Sequence, residues 1–73
     1  MKIIAARGND RFIVEESGKY FLVDLMRGES TVARPPESPD IFLKAGYWMD
    51  VDEGKIKAKN RVEIEAAMKN RRA

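Results

Sequence analysis

Hydrophobic and polar residues alternate over much of the first 26 positions, and this is the period of a β-strand with one buried face. The pattern predicts strands over residues 2–7, 11–16 and 19–26. The short polar clusters between them, at 8–10 and 17–18, contain the glycines and small polar residues that form tight turns. The first third of the chain therefore predicts an antiparallel β-meander.

The alternation also predicts which side chains of these strands are buried. In the second strand Phe12 and Val14 share one face, whereas Ile13 falls on the opposite face with the charged Arg11 and Glu15. In the third strand the predicted buried face is made of Phe21, Val23 and Leu25. We expect this third strand to be central in the sheet.

Residues 27–39 break the alternation. Gly28 and the prolines at 35, 36 and 39 disfavour a regular strand, so the segment is predicted to be an extended connector. A short proline cluster also occurs in peptides that dock into aromatic grooves, but we favour a stiff linker because the cluster is isolated.

The next segment is predicted to be a short helix in the middle of the chain. Ser38 can cap it, Pro39 suits its first position, Asp40 suits the positive end of its dipole, and Gly46 can close it. Residues 41–45 also alternate, so a strand is the alternative. After this segment, we predict a strand over residues 47–51, a turn over 52–54 and the second strand of a hairpin over 55–59.

The final segment is predicted to be a helix over about residues 61–71. Alternation continues there, but strong helix formers dominate and Asn60 is a good helix cap. In a helix Ile64, Ala67 and Met68 share one face, which we expect to pack on the sheet. The fold class is therefore α+β, a single domain over residues 1–73 with an antiparallel sheet, a short middle helix and a C-terminal helix.

Composition limits the chemistry of this chain. The 73 residues include neither histidine nor cysteine, which removes the most common general base, thiol nucleophile and zinc ligands. Residues 50–54 are acidic but lack the later ligands of a calcium-binding loop. We expect no catalytic residues, no metal and no cofactor, and hence a protein that is not an enzyme.

Charge is segregated along the sequence. Residues 1–54 contain seven basic and ten acidic residues, whereas 55–73 contain seven basic and two acidic residues. This asymmetry predicts a local positive field at the end of the chain, although a solvated lysine-rich surface would explain it equally well.

Two binding hypotheses follow. In the favoured one, the chain binds another protein through Tyr47, Trp48 and Met49, because aromatic and methionine side chains are enriched in interface cores; the alternative role of Trp48 is to cover a small core. In the second hypothesis nucleic acid is bound, because alternate lysines on one strand face would grip phosphates. Its residues are Lys55, Lys57, Lys59, Arg61, Lys69, Arg71 and Arg72.

Size and hydropathy complete the picture. A chain this short buries a small core and has no disulfide, so we expect self-association, most simply as a homodimer. The apolar runs are too short for a membrane span, which predicts a cytoplasmic protein with no membrane partner. Together, these properties are typical of a small accessory or inhibitor protein from a bacterium or phage.

Overall fold

The computed structural model describes residues 1–32 and 48–72, which form one sheet and one helix. The sheet has the strand order β5-β1-β2-β3-β4-β6; the first five are antiparallel neighbours, and β6 runs parallel to β4. The predicted α+β class is confirmed. The elements are β1 (Lys2–Arg7), β2 (Arg11–Glu16), β3 (Lys19–Asp24), β4 (Glu29–Val32), β5 (Met49–Asp50), a 3-10 turn (Glu53–Lys55), α1 (Ala58–Lys69) and β6 (Arg71–Arg72).

The β-meander has the predicted strands, and β1 and β2 have the predicted bounds. A two-residue turn joins β2 to β3, with φ of 53° at Ser17 and 76° at Gly18. Two consecutive residues of positive φ give the twist that suits a two-residue hairpin. The third strand ends at Asp24, two residues earlier than predicted, because the Asp24 carboxylate accepts hydrogen bonds from the main-chain N–H groups of Met26 and Arg27.

The hydrophobic core lies between the sheet and α1. Phe21 and Val23 are buried in β3, which is central as predicted, and Ile64 and Met68 of α1 pack against them. The predicted faces of both elements are thus confirmed. The other core residues are Ile3, Phe12, Val14 and Ala67.

A β-bulge in β1 brings its side chains into register with this core. Ile3 pairs with Val14 and Ala6 pairs with Phe12, so the register shifts between Ile3 and Ala5 and Ile4 has no partner in β2. The extra residue changes the phase of the alternation. As a result Ile3 and Ala6, three positions apart, both face α1.

The face of the sheet away from α1 is also buried at its centre. Ile13 and its partner Ala5 are fully buried, and Leu22, opposite Ile13 in β3, is half-buried. The alternation places Ile13 on this face with the charged Arg11 and Glu15, and it does not indicate that the centre of the face is buried.

The connector prediction is wrong for its first part. Residues 29–32 form β4, which pairs with β3 from Asp24 to Phe21, and Gly28 belongs to the preceding turn. Thr31 and Val32 favour a strand, and pairing with a central neighbour outweighs the nearby glycine. The predicted middle helix at 39–46, its strand alternative and residues 33–39 lie outside the described residues; the helical turn described between β4 and α1 is the 3-10 turn.

The predicted hairpin of residues 47–51 and 55–59 does not form. β5 pairs with β1 instead, and Asp52 caps the 3-10 turn by accepting the N–H of Gly54 at 3.0 Å. The chain then enters α1 at Ala58, so Asn60 lies inside the helix and Lys57 occupies the cap position without a side-chain hydrogen bond. The alternating lysines of this segment are helix formers, and the turn before them directs the chain away from the sheet edge.

Candidate functional site

Trp48 and Met49 lie where the chain enters the edge strand β5. Met49 pairs with Ala6 of β1, and 71% of its surface is exposed. Trp48 is half-buried and lines an open groove of about 290 Å³ on the sheet face away from α1, together with Leu22 and Thr31. The two neighbouring side chains therefore occupy different environments, and Tyr47 lies outside the described residues.

The charged side chains around this groove are largely paired with one another. Arg27 lies 3.9 Å from the carboxylate of Asp24 and 3.9 Å from that of Glu29. Asp24 also accepts the two main-chain hydrogen bonds of the turn that follows it. The groove thus combines an indole ring and the partly buried Leu22 with charges that already balance locally. Arg11, opposite Asp24, also lines it.

Met26 adds a third large apolar side chain at this end of the sheet. It is 83% exposed in the turn between β3 and β4. The N–H of Leu25 donates to the carbonyl of Asp10 at 2.8 Å, which ties this turn to the one between β1 and β2. Sequence reasoning missed Met26 because it placed the residue in β3; the aspartate two positions before it is the signal for an earlier strand end.

The basic residues of the nucleic-acid hypothesis do not lie together in the structure. Lys55, Lys57 and Lys59 are all exposed, but they lie on the 3-10 turn and the start of α1 rather than on one face of a strand. Lys69 is at the other end of α1, about 15 Å from Lys59 along the helix axis. We refer to Lys55, Lys57 and Lys59 as the lysine cluster.

The arginines of this set have structural roles. Arg61 donates to the carbonyl of Glu53 at 3.2 Å and so joins α1 to the 3-10 turn. Arg71 donates to Glu16 at 2.6 Å, and its neighbour Arg72 pairs with Thr31 in β6. The structure therefore does not bring the predicted phosphate-binding residues together as one row.

The acidic residues at 50–53 are also used by the fold. Asp52 caps the 3-10 turn, and the Glu53 carboxylate accepts the main-chain N–H of Ile3 at the open edge of β1. In residues 1–32 and 48–72, no three acidic side chains are grouped as they would be to hold a metal ion. None of the helices within that part of the chain is both long and apolar enough to cross a membrane.

Comparison with family models, with curated proteins and with solved structures found no match to this chain. The assignment of a function therefore depends on the surfaces described above.

Proposed function

We propose that this protein is a non-enzymatic protein-binding module whose contact surface is centred on Trp48 and Met49. The observation that carries the proposal is the exposure of Met49 on an edge strand, directly beside a half-buried tryptophan in an open groove. Interface cores are rich in aromatic and methionine side chains, and here one of each lies at the same place on the sheet edge.

The geometry favours a partner that approaches the end of the sheet where β5 begins. A partner residue inserted beside Trp48 would find an apolar floor at Leu22 and no unpaired charge at Asp24 or Arg27. It would therefore not have to desolvate an isolated charge, which is the main cost that weakens polar interfaces. Met49 would cover the rim of the contact, because flexible methionine side chains adapt to different surfaces.

The test compares two variants that each remove one exposed apolar side chain. Met49→Ala removes part of the proposed contact, and Val62→Ala is the matched control because Val62 is 64% exposed on α1. Tagged wild type and both variants are used to capture proteins from a bacterial lysate, with and without nuclease. We expect one protein to be retained by wild type and Val62→Ala and reduced at least about tenfold on Met49→Ala, which corresponds to about 1.4 kcal/mol.

Equal capture by the two variants would contradict the proposal. Capture that nuclease abolishes would contradict it as well, because the retained molecules would then be bridged by nucleic acid.

Nucleic-acid binding is the second candidate, and the lysine cluster is the observation that favours it. Three exposed lysines lie on the 3-10 turn and at the start of α1, and the first turn of α1 contains no acidic residue. The helix dipole adds to their positive field. If this surface binds phosphates, replacing all three lysines with glutamine will reduce the affinity for nucleic acid in a gel shift, and the slope of log K against log salt will fall by about one for each lost contact. Unchanged binding in the triple variant would exclude this role for the cluster.

A further inference from the structure

Arg71 of β6 occupies a site built by three other elements. Its guanidinium group donates to the Glu16 carboxylate at 2.6 Å and to the Met68 carbonyl at 3.2 Å, and it lies 4.3 Å above the centre of the Phe21 ring. A carboxylate beside an aromatic face binds a guanidinium group well, because the ion pair and the cation–π contact act on the same planar cation.

The main chain at Arg71 pairs with the edge of β4 as an added strand. β6 pairs in parallel with β4, with Arg71 opposite Ser30. The N–H of Ser30 donates to the Asn70 main-chain carbonyl at 3.2 Å, and the side-chain amide of Asn70 donates to the Gly28 carbonyl at 3.0 Å. Main-chain pairing with a sheet edge and a pocket for one side chain are the two parts of peptide recognition by strand addition.

Several features indicate that the resident strand is held weakly. β6 has two residues, and parallel pairing is slightly less stable than antiparallel pairing. The Arg71 side chain remains 48% exposed and that of Glu16 34% exposed, so water screens their ion pair. β4 extends one residue beyond the paired positions in each direction, to Glu29 and Val32.

We propose that the outer edge of β4, together with Glu16 and Phe21, is a binding site for an extended peptide segment that carries an arginine. Residues 70–72 occupy this site as an internal competitor, and a partner segment that pairs with all four residues of β4 displaces them. The Trp48 groove reaches Thr31 of β4 on the sheet face away from α1, whereas Phe21 of the peptide site lies on the face that packs against α1.

The test uses a disulfide to hold the resident strand in place. Thr31 and Arg72 are Cα partners, and the chain contains no other cysteine, so the double variant Thr31→Cys, Arg72→Cys can form a single intramolecular disulfide. The probe is a fluorescein-labelled peptide with the sequence of residues 68–73, and fluorescence anisotropy measures its binding to the reduced and oxidised protein. We expect the oxidised form to bind at least about tenfold more weakly. A peptide with alanine in place of the first arginine should bind neither form.

A second measurement uses the wild-type protein, so that the result does not depend on disulfide formation. In an NMR titration with the same peptide, we expect the amide signals of Ser30 and Thr31 to shift. The proposal is overturned if the peptide fails to bind wild type at millimolar concentration, if it shifts other strands instead, or if reduced and oxidised forms bind it equally. Trp48→Ala should bind the peptide as wild type does, which separates this test from that of the proposed function.

Discussion

At the scale of single residues, the turn between β2 and β3 contains an unfavourable backbone conformation. Ser17 has φ of 53° and is the one non-glycine residue with positive φ among the described residues. Side chains with a Cβ disfavour this region, and asparagine tolerates it better than serine does.

We therefore expect Ser17→Asn to raise the free energy of unfolding by about 0.5 to 1 kcal/mol, because Asn-Gly is the favoured pair for a two-residue hairpin. Urea denaturation monitored by tryptophan fluorescence and circular dichroism measures the change. Ser17→Ala is the control, since alanine keeps the strain. An asparagine variant no more stable than the alanine variant would show that the turn is not the source of strain.

The residue scale also shows what sequence pattern alone can and cannot predict. Phe21, Val23, Ile64 and Met68 were predictable as core because each lies on the apolar side of a clear alternation or helical face. Ile13 was not, because its burial depends on what covers the other face of the sheet rather than on its charged neighbours in the strand. The sequence predicts Trp48 as part of a protein-binding surface, but no local pattern indicates that its ring lies in a groove with residues of β3 and β4.

At the scale of elements, β3 is the strand on which the core depends most. It pairs with β2 on one side and β4 on the other, and Phe21 contributes its largest buried side chain. Removal of that ring leaves a cavity against Ile64 and Met68, which the surrounding strands can fill only partly.

We expect Phe21→Ala to lower the free energy of unfolding by about 3 to 5 kcal/mol. Met26→Ala, at an 83% exposed position just beyond the same strand, should change it by less than about 0.5 kcal/mol. A chemical denaturation midpoint for each variant provides the comparison. If the two substitutions had similar effects, the central role of β3 would be refuted.

The elements that sequence reasoning missed are those fixed by distant contacts. Residues 55–59 alternate as a strand would, but Ile56 packs against core residues of the sheet and α1 instead of pairing with a strand. β6 is two arginines whose strand conformation depends on pairing with β4, some 40 positions earlier in the chain. Composition within a short window contains no information about either partner.

At the scale of the whole molecule, both edges of the sheet end in two-residue strands. β5 covers part of β1, and β6 covers part of β4. Short edge strands limit uncontrolled pairing between molecules while leaving some main-chain groups of the sheet available. The buried core described above is small, and no disulfide reinforces it.

We therefore expect the protein to form a twofold dimer, because a second copy would add buried area that a domain of this size lacks. Multi-angle light scattering at high micromolar concentration should give about twice the mass of the 8.3 kDa chain. A monomer mass under those conditions would refute self-association.

The bulge in β1 has a consequence for how the length of this chain can change. Ile4 is the residue of β1 that lacks a partner in β2, and on either side of it the pairs follow one another without a gap. Deleting Ile4 would turn β1 into a regular strand in which Ile3 and Ala6 still meet Val14 and Phe12. Deleting Ala5 would also restore regular pairing, but it would place the larger Ile4 side chain opposite Ile13, where Ala5 is fully buried. Related sequences one residue shorter in this strand should therefore lack the residue equivalent to Ile4.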